Sequence, residues 1–143
     1  MRTPQIIICE NDFVHFKYDH TKKILFITPK GKEPTESEWK FLTTTIIEYY
    51  DTAICTNHKF SMLIDTTNIN YVPLSLYDKF RIFFTNLRSK TEICINGTAI
   101  IAKLLVLRVA LNAFFTIYTP ARPVSFESSI EDSEKYLESI GLS

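Results

Sequence analysis

The first part of the chain contains two short segments in which apolar and polar residues alternate. They span residues 13–18 and 24–28, and a mostly polar five-residue stretch separates them. Alternation with a period of two is typical of a strand that buries one face. Two such strands with a short connection pair antiparallel, so we predict a β-hairpin.

A helical pattern follows the hairpin. Apolar side chains recur there at intervals of three or four residues, at Trp39, Leu42, Ile46, Tyr49 and Ala53. This spacing places them on one face of an α-helix, with charged residues left for solvent. Thr35 or Ser37 can cap the start of this helix, because a hydroxyl accepts a hydrogen bond from a free backbone N–H of the first turn.

From residue 60 onward, short apolar runs alternate with helical patterns. We predict strands at 60–65, 98–102 and 122–127, and helices at 74–87, 104–118 and 129–140. Ser128, with Glu131 three residues later, has the pattern of a capping box for the last helix. The order ββαβαβαβα predicts a single α/β domain over residues 1–143, with a five-stranded mixed sheet and four helices.

The helix predicted at 104–118 is more apolar than a helix with one solvated face needs to be. One stripe is formed by Leu104, Leu107, Leu111, Phe114 and Tyr118, and other apolar residues lie off it, among them Leu105, Val109 and Ile117. The segment is too short and too polar to span a bilayer. Its surplus apolar surface is buried by neighbouring elements, covered by another protein chain, or used for a lipid-sized pocket or a membrane-facing patch.

Composition and charge exclude several classes of protein. Sixteen basic and sixteen acidic side chains cancel, and the basic ones are scattered, so we expect no nucleic-acid binding. The apolar patch at residues 6–9 is too short for a signal peptide. Three widely separated cysteines fit reduced thiols better than a disulfide framework. We therefore expect a cytoplasmic protein without an integral membrane segment.

Candidate catalytic and metal-binding residues are sparse. Cys55 and His58 form the only close pair of a cysteine and a histidine, with no second pair to complete a metal site. The three glycines are isolated, so no glycine-rich phosphate loop exists. Asp65 ends a predicted strand, where a lone aspartate is typical of a turn. We expect no enzyme activity, no bound metal and no cofactor.

The C-terminal half carries a family resemblance. An apolar strand and an apolar helix precede Arg122-Pro123-Val124-Ser125-Phe126, and an acidic helix follows. Together with the element order, this resembles the STAS fold of bacterial anti-sigma factor antagonists and of sulfate-transporter tails. It is closest to small stand-alone STAS-like proteins, which are loosely related to the lipid-binding SEC14 group. The resemblance covers a core of about residues 13–140.

The resemblance also implies a position for a phosphorylation switch. STAS antagonists are phosphorylated on a serine at the start of the helix after the central strand. Here Pro73 and Leu74 replace the Asp-Ser of that pattern, and Ser75 follows one place later. Ser75 is therefore the candidate phosphorylation site, near a helix N-terminus that favours an anion.

The expected function is that of a non-enzymatic regulatory or scaffolding module that acts by protein–protein interaction or self-association. The candidate partner-binding residues are Thr66, Thr67, Asn70, Ser75, Tyr77, Arg81 and Phe84. The candidate apolar residues for a partner or ligand are Leu105, Leu107, Val109, Leu111, Phe114 and Phe115. The alternative is SEC14-like binding of a lipid or another apolar ligand. An enveloped pocket lined by Leu107, Leu111, Phe114 and Phe115 would favour this alternative, and a flat packed core would favour the interaction module.

Overall fold

The computed structural model describes residues 6–69 and 72–141 and forms one mixed sheet with helices on both faces. The strands are β1 (Ile6–Glu10), β2 (Val14–Asp19), β3 (Ile24–Pro29), β4 (Phe60–Asp65), β5 (Ile95–Ile101) and β6 (Val124–Glu127). The helices are α1 (Glu36–Cys55), α2 (Leu74–Asn86), α3 (Arg88–Cys94), α4 (Leu105–Ile117) and α5 (Ile130–Gly141). The α/β class and the mixed sheet that the sequence predicts are confirmed.

The strands lie in the sheet in the same order as in the chain. β1, β2 and β3 pair antiparallel, which confirms the predicted hairpin of β2 and β3. From β3 to β6 each strand pairs parallel with the next. The parallel pairs are joined by helical crossovers, with one helix after β3, two after β4 and one after β5. β4 and β5 therefore occupy the interior of the parallel part of the sheet.

The predicted count of five strands and four helices is wrong, because the described residues form six strands and five helices. The patch at residues 6–9 is part of β1, an edge strand in which Cys9 lies opposite Phe16 of β2. Its short apolar run has no alternation that would reveal the pairing. The additional helix is α3, whose seven residues start directly after the C-cap of α2, Leu87. So short a helix carries too few apolar positions for a periodic pattern.

Two predicted helix caps have different outcomes. Thr35 caps α1 in a full capping box, with Glu38 N–H donating to Thr35 Oγ1 at 3.2 Å and Thr35 N–H donating to Glu38 Oε1 at 2.9 Å. The Ser128 cap for α5 is wrong by one residue. Asp132 N–H donates instead to Ser129 Oγ at 3.1 Å, because α5 begins at Ile130.

Alternating side chains of the strands enter two separate cores. One core lies under α1, α2 and α3, and its largest fully buried members include Phe13, Phe16, Leu25, Leu42, Ile46, Tyr50 and Phe60. Trp39 of α1 packs at its margin, edge-on to Phe80 of α2 with 5.0 Å between ring centroids. The second core lies under α5 and consists of Ile24, Phe26, Leu63, Ala99, Ile101 and Leu137.

The segment before β6 is fixed against the start of β5. Arg122 Nε donates to the carbonyl of Ile95 at 3.1 Å, and Thr98 N–H donates to the carbonyl of Pro123 at 2.9 Å. Gly97 allows this approach, because a Cβ there would lie 3.1 Å from the Pro123 carbonyl oxygen and would overlap the Ile140 side chain. The motif that carries the family resemblance thus has a structural role at this junction.

Candidate functional site

A cavity of about 350 Å³ lies between the sheet and the two helices α2 and α4. The floor is formed by the strand residues Pro29, Met62, Ile64, Thr98, Ile100 and Val124, together with Phe13 just before β2. Helix residues form its walls: Leu76, Tyr77, Phe80 and Phe84 of α2, and Leu107, Leu111, Phe114 and Phe115 of α4. This volume falls at the lower end of the range for small-molecule pockets, whose linings are also mostly apolar.

Helix α4 covers the cavity mainly through aromatic contacts. Phe114 packs against Tyr77 of α2, with ring centroids 5.8 Å apart. Phe115 packs edge-on against Phe126 of β6, also at 5.8 Å. Of the α4 side chains that the structure describes, Leu107 alone is fully buried. The helix is therefore held above the sheet by a few contacts, and the space beneath it stays open.

One end of the cavity lies beyond the carboxyl ends of the parallel strands. Lys32 and Glu33 line this end, together with Gly31, Thr66, Ile69 and Pro73. Lys32 Nζ forms an ion pair with Glu38 Oε1 at 2.9 Å. The Thr35 backbone N–H, and then Lys32, hold the pKa of the Glu38 carboxyl below its ordinary value. At this end the positive charge of Lys32 is therefore compensated by Glu38, and Glu33 adds an acidic side chain to the lining.

The opposite end of the cavity lies near the start of β5 and carries three hydroxyl groups and a cation. Tyr50, Thr91, Tyr118 and Arg122 line it. Tyr50 accepts a hydrogen bond from Thr91 Oγ1 at 3.2 Å and lies 3.9 Å from the Met62 sulfur. Burial raises the pKa of both the Tyr50 and the Tyr118 hydroxyl. These hydroxyls stay neutral at physiological pH, so Arg122 supplies the charge at this end.

The candidate partner-binding residues do not share one location. Thr66, Tyr77 and Phe84 line the cavity. Thr66 Oγ1 donates to the carbonyl of Ile101, which ties the loop after β4 to the end of β5. Asn70 lies outside the described residues.

The remaining candidates of that set lie on the exterior. Thr67 is exposed, and its backbone N–H donates to Asp65 Oδ1 at 2.9 Å. Asp65 thus has the turn-forming role that the sequence suggests. Ser75 is exposed in the first turn of α2. Arg81 forms an ion pair with Asp78 at 3.4 Å.

The candidate apolar residues of α4 divide between two sides of the helix. Leu107, Leu111, Phe114 and Phe115 line the cavity. Leu105 and Val109 point away from it and are 75% and 61% exposed, with Val106 beside them at 77%. We call Leu105, Val106 and Val109 the outer α4 surface. The cavity side contains Leu107, Leu111 and Phe114 of the predicted stripe, and Phe115, which lies off that stripe.

Sequence reasoning did not assign Thr98, Tyr118 or Arg122 to a site. Tyr118 ends the apolar stripe predicted for residues 104–118, and Arg122 opens the segment Arg122–Phe126, but neither position indicates a cavity. The feature that marks the site is that the cationic Arg122 lies beside the start of β5. That juxtaposition depends on the β5–β6 pairing, which local periodicity does not specify.

The three cysteines lie apart from the cavity, and so does the candidate metal-ligand pair Cys55 and His58. Cys94 is fully buried, and burial raises its pKa to about 11. Cys55 is exposed at the end of α1, and Cys9 is half-buried on the edge strand. Within residues 6–69 and 72–141, no group of three or more His, Cys, Asp or Glu side chains could hold a metal ion. No helix in this part of the chain is long and apolar enough to cross a membrane.

Comparison with solved structures gives a fold. An uncharacterised protein of the DUF3478 family from Shewanella loihica PV-4, with a SpoIIAA-like fold, aligns with a TM-score of 0.56 at 15% identity, over 96% of this chain and 98% of that one. This chain has a STAS-like fold. An anti-sigma factor antagonist from Mycobacterium paratuberculosis also aligns, with a TM-score of 0.49 at 7% identity over 95% of each chain. No protein-family model and no curated protein matches the sequence.

Proposed function

We propose that this protein is a non-enzymatic binding module for an apolar ligand, which occupies the cavity under α4. The cavity itself carries the proposal, because protein interiors are packed to crystal-like density and contain few voids larger than a water molecule. A space of about 350 Å³ with a mainly apolar lining is far larger than such a void. An apolar guest would bury this lining from water, which is favourable.

The arrangement of α4 supports the same proposal. A helix of its apolar content would bury more side chains if it packed directly on the sheet. Instead, Leu111, Phe114 and Phe115 are half-buried and border the open space, next to the buried Leu107. These residues gain full burial when a ligand fills the cavity. The STAS-like fold is compatible with this function and does not specify it.

The proposal is tested by binding of the apolar fluorophore phenylnaphthylamine, whose emission rises in an apolar site. We expect saturable binding to the wild-type protein. Leu111→Trp fills the cavity and should weaken binding about tenfold or more, which corresponds to about 1.4 kcal/mol. Val109→Trp is the matched control, because it places the same side chain on the other side of α4 and should leave binding unchanged.

Two results would contradict the ligand-binding function. One is the absence of saturable binding to the folded wild-type protein. The other is equal weakening by Leu111→Trp and Val109→Trp, which would place the fluorophore outside the cavity. Native mass spectrometry of protein purified from its own source supplements the titration, since a retained ligand appears as added mass.

A second candidate function is a protein–protein interaction module, favoured by the outer α4 surface. Leu105, Val106 and Val109 are all more than half exposed, and contiguous apolar surface of this kind is typical of interaction sites. Self-association through this surface predicts that Leu105→Glu with Val109→Glu lowers the sedimentation coefficient of an oligomeric wild-type protein. An unchanged coefficient for the folded double variant would contradict it. Phosphorylation of Ser75 stays a prediction.

A further inference from the structure

Arg122 places a positive charge in the wall of the mainly apolar cavity, and the residue as a whole is exposed to solvent. Its Nε–H is used by the carbonyl of Ile95 at 3.1 Å. No carboxylate in the described part of the chain forms an ion pair with it, whereas Arg81 and Arg88 pair with acidic residues on their own helices. Arg108 also lacks an ion pair but does not line the cavity. The terminal amino groups of Arg122 are therefore available to a ligand.

A guanidinium group in this setting selects for a particular head group. Arginine stays charged at all physiological pH values, and its planar fork matches the two oxygens of a carboxylate or phosphate. The Nε–H bond to Ile95 fixes the plane of the group, so less side-chain entropy is lost when an anion binds. The Tyr118 hydroxyl at the same end of the cavity stays neutral and can add a further hydrogen bond.

The opposite end of the cavity disfavours an anion. There the charge of Lys32 is compensated by Glu38 at 2.9 Å, and Glu33 adds a negative charge to the cavity lining. The cavity is thus electrostatically polar along its length, with its positive end at Arg122. A ligand with one anionic end would bind in a single orientation.

The two ends are separated by a length suited to an alkyl chain. Arg122 contacts the first residue of β5, and Thr66 at the other end contacts the last residue of that strand. β5 has seven residues, which span roughly 20 Å. Between the ends the lining consists mainly of aliphatic and aromatic side chains, among them Ile100, Leu111 and Phe115.

We propose that the ligand is an anionic amphiphile of the fatty-acid class, with its head group on Arg122 and its alkyl chain along β5 under α4. This proposal rests on the ligand-binding function and adds the head-group chemistry and the orientation. A carboxylate and a phosphate monoester share the required chemistry. The alkyl chain contributes apolar burial, and the head group contributes charge-assisted hydrogen bonds.

The test compares ligands that differ only in the head group. Dodecanoate, dodecyl phosphate and dodecanol are titrated as competitors of phenylnaphthylamine, below the concentrations at which they form micelles. Wild-type protein should bind at least one of the two anions about tenfold more tightly than dodecanol, and the stronger anion identifies the head group. Arg122→Gln should remove this preference and leave the dodecanol affinity unchanged.

Two further variants separate a head-group role from a structural one. Arg108→Gln removes an arginine that does not line the cavity and, like Arg122, donates its Nε–H to a backbone carbonyl, so it should not change the preference for the anion. Arg122→Lys keeps the charge but not the fork, and should retain only part of the preference. The unchanged affinity for dodecanol serves as the measure of folding in each variant.

The outcomes distinguish this proposal from the function on which it rests. Equal affinity of wild-type protein for dodecanol and both anions would overturn the head-group assignment and leave the apolar site standing. Equal losses for all three ligands in Arg122→Gln would overturn it as well, since Arg122 would then only support the fold. Failure of all three to displace the fluorophore from wild-type protein would contradict the binding function itself.

Discussion

Helices α4 and α5 flank the same strands of the sheet but are held in opposite ways. α5 is polar on average, yet its few apolar side chains are well placed, and Leu137 and Ser133 are fully buried against the sheet. α4 is far more apolar, yet most of its described side chains stay partly exposed. Apolar content therefore does not decide how closely a helix packs. The fit between side chains and the facing strands decides it.

Strand β5 shows the same difference from one residue to the next. Ala99 and Ile101 point to the α5 side and belong to a closed core. Thr98 and Ile100 point to the other side and line the cavity. Because neighbouring residues of a strand face opposite sides, one strand serves both a stable core and an open site. The face of β5 toward α5 belongs to the packed core, and the face toward α4 borders the cavity.

Truncation of one leucine on each side should give the largest difference. Leu137→Ala leaves a hole in a closed core and should lower the free energy of unfolding by about 2–5 kcal/mol. Leu111→Ala enlarges a cavity that already exists and should cost about 1 kcal/mol. Urea denaturation of the two variants measures both values. Similar losses would show that the α4 side is packed as tightly as the α5 side in solution.

Larger side chains at two neighbouring β5 residues should give a smaller difference in the free energy of unfolding, caused by overpacking and not by a cavity. Ala99→Ile adds volume to the closed core and should destabilise the protein by about 1–3 kcal/mol. Thr98→Ile extends a larger side chain into the cavity and should leave the free energy of unfolding within about 1 kcal/mol of the wild-type value, because the space there is free. Both variants add the same β-branched side chain to one strand, so they control for each other in the same denaturation experiment. A larger loss for Thr98→Ile than for Ala99→Ile would contradict the assignment of the open side.

Changes on the outer α4 surface should have the smallest effect on folding. Leu105→Glu and Val109→Glu replace exposed side chains, so each should change the free energy of unfolding of the monomer by about 0.5 kcal/mol or less. Denaturation at low protein concentration measures this value. A loss above about 1 kcal/mol that grows with protein concentration would show that this surface is covered by a second copy of the chain.

The sequence predicts the longer helices and strands well because their buried side chains recur with a regular spacing along the chain. The stripe of Leu42 and Ile46 identifies α1, and Thr35 with Glu38 marks its start. The edge strand β1 escapes because its identity depends on pairing with β2, which no local pattern reveals. The seven-residue α3 is not predicted because a helix of fewer than two turns is too short to show a periodic apolar pattern.

The candidate site is predictable only in part, for a related reason. The surplus apolar surface of α4 is visible in the sequence, and it leaves a ligand, a partner or deep burial as alternatives. The sequence does not show how far α4 lies from the sheet, since that distance depends on the aromatic contacts of Phe114 and Phe115. It also does not show that Arg122 faces the same space. Both facts arise from tertiary packing.

The edge-on contact between Trp39 and Phe80 gives the protein an internal optical probe. Trp39 is the only tryptophan of the sequence, and Phe80 separates it from the cavity by a single ring. A guest that displaces the Phe80 ring alters the surroundings of the indole, so its emission records the occupancy of the cavity in the unlabelled wild-type chain. The same emission reports unfolding of α1 at higher denaturant, which places ligand binding and stability on one signal.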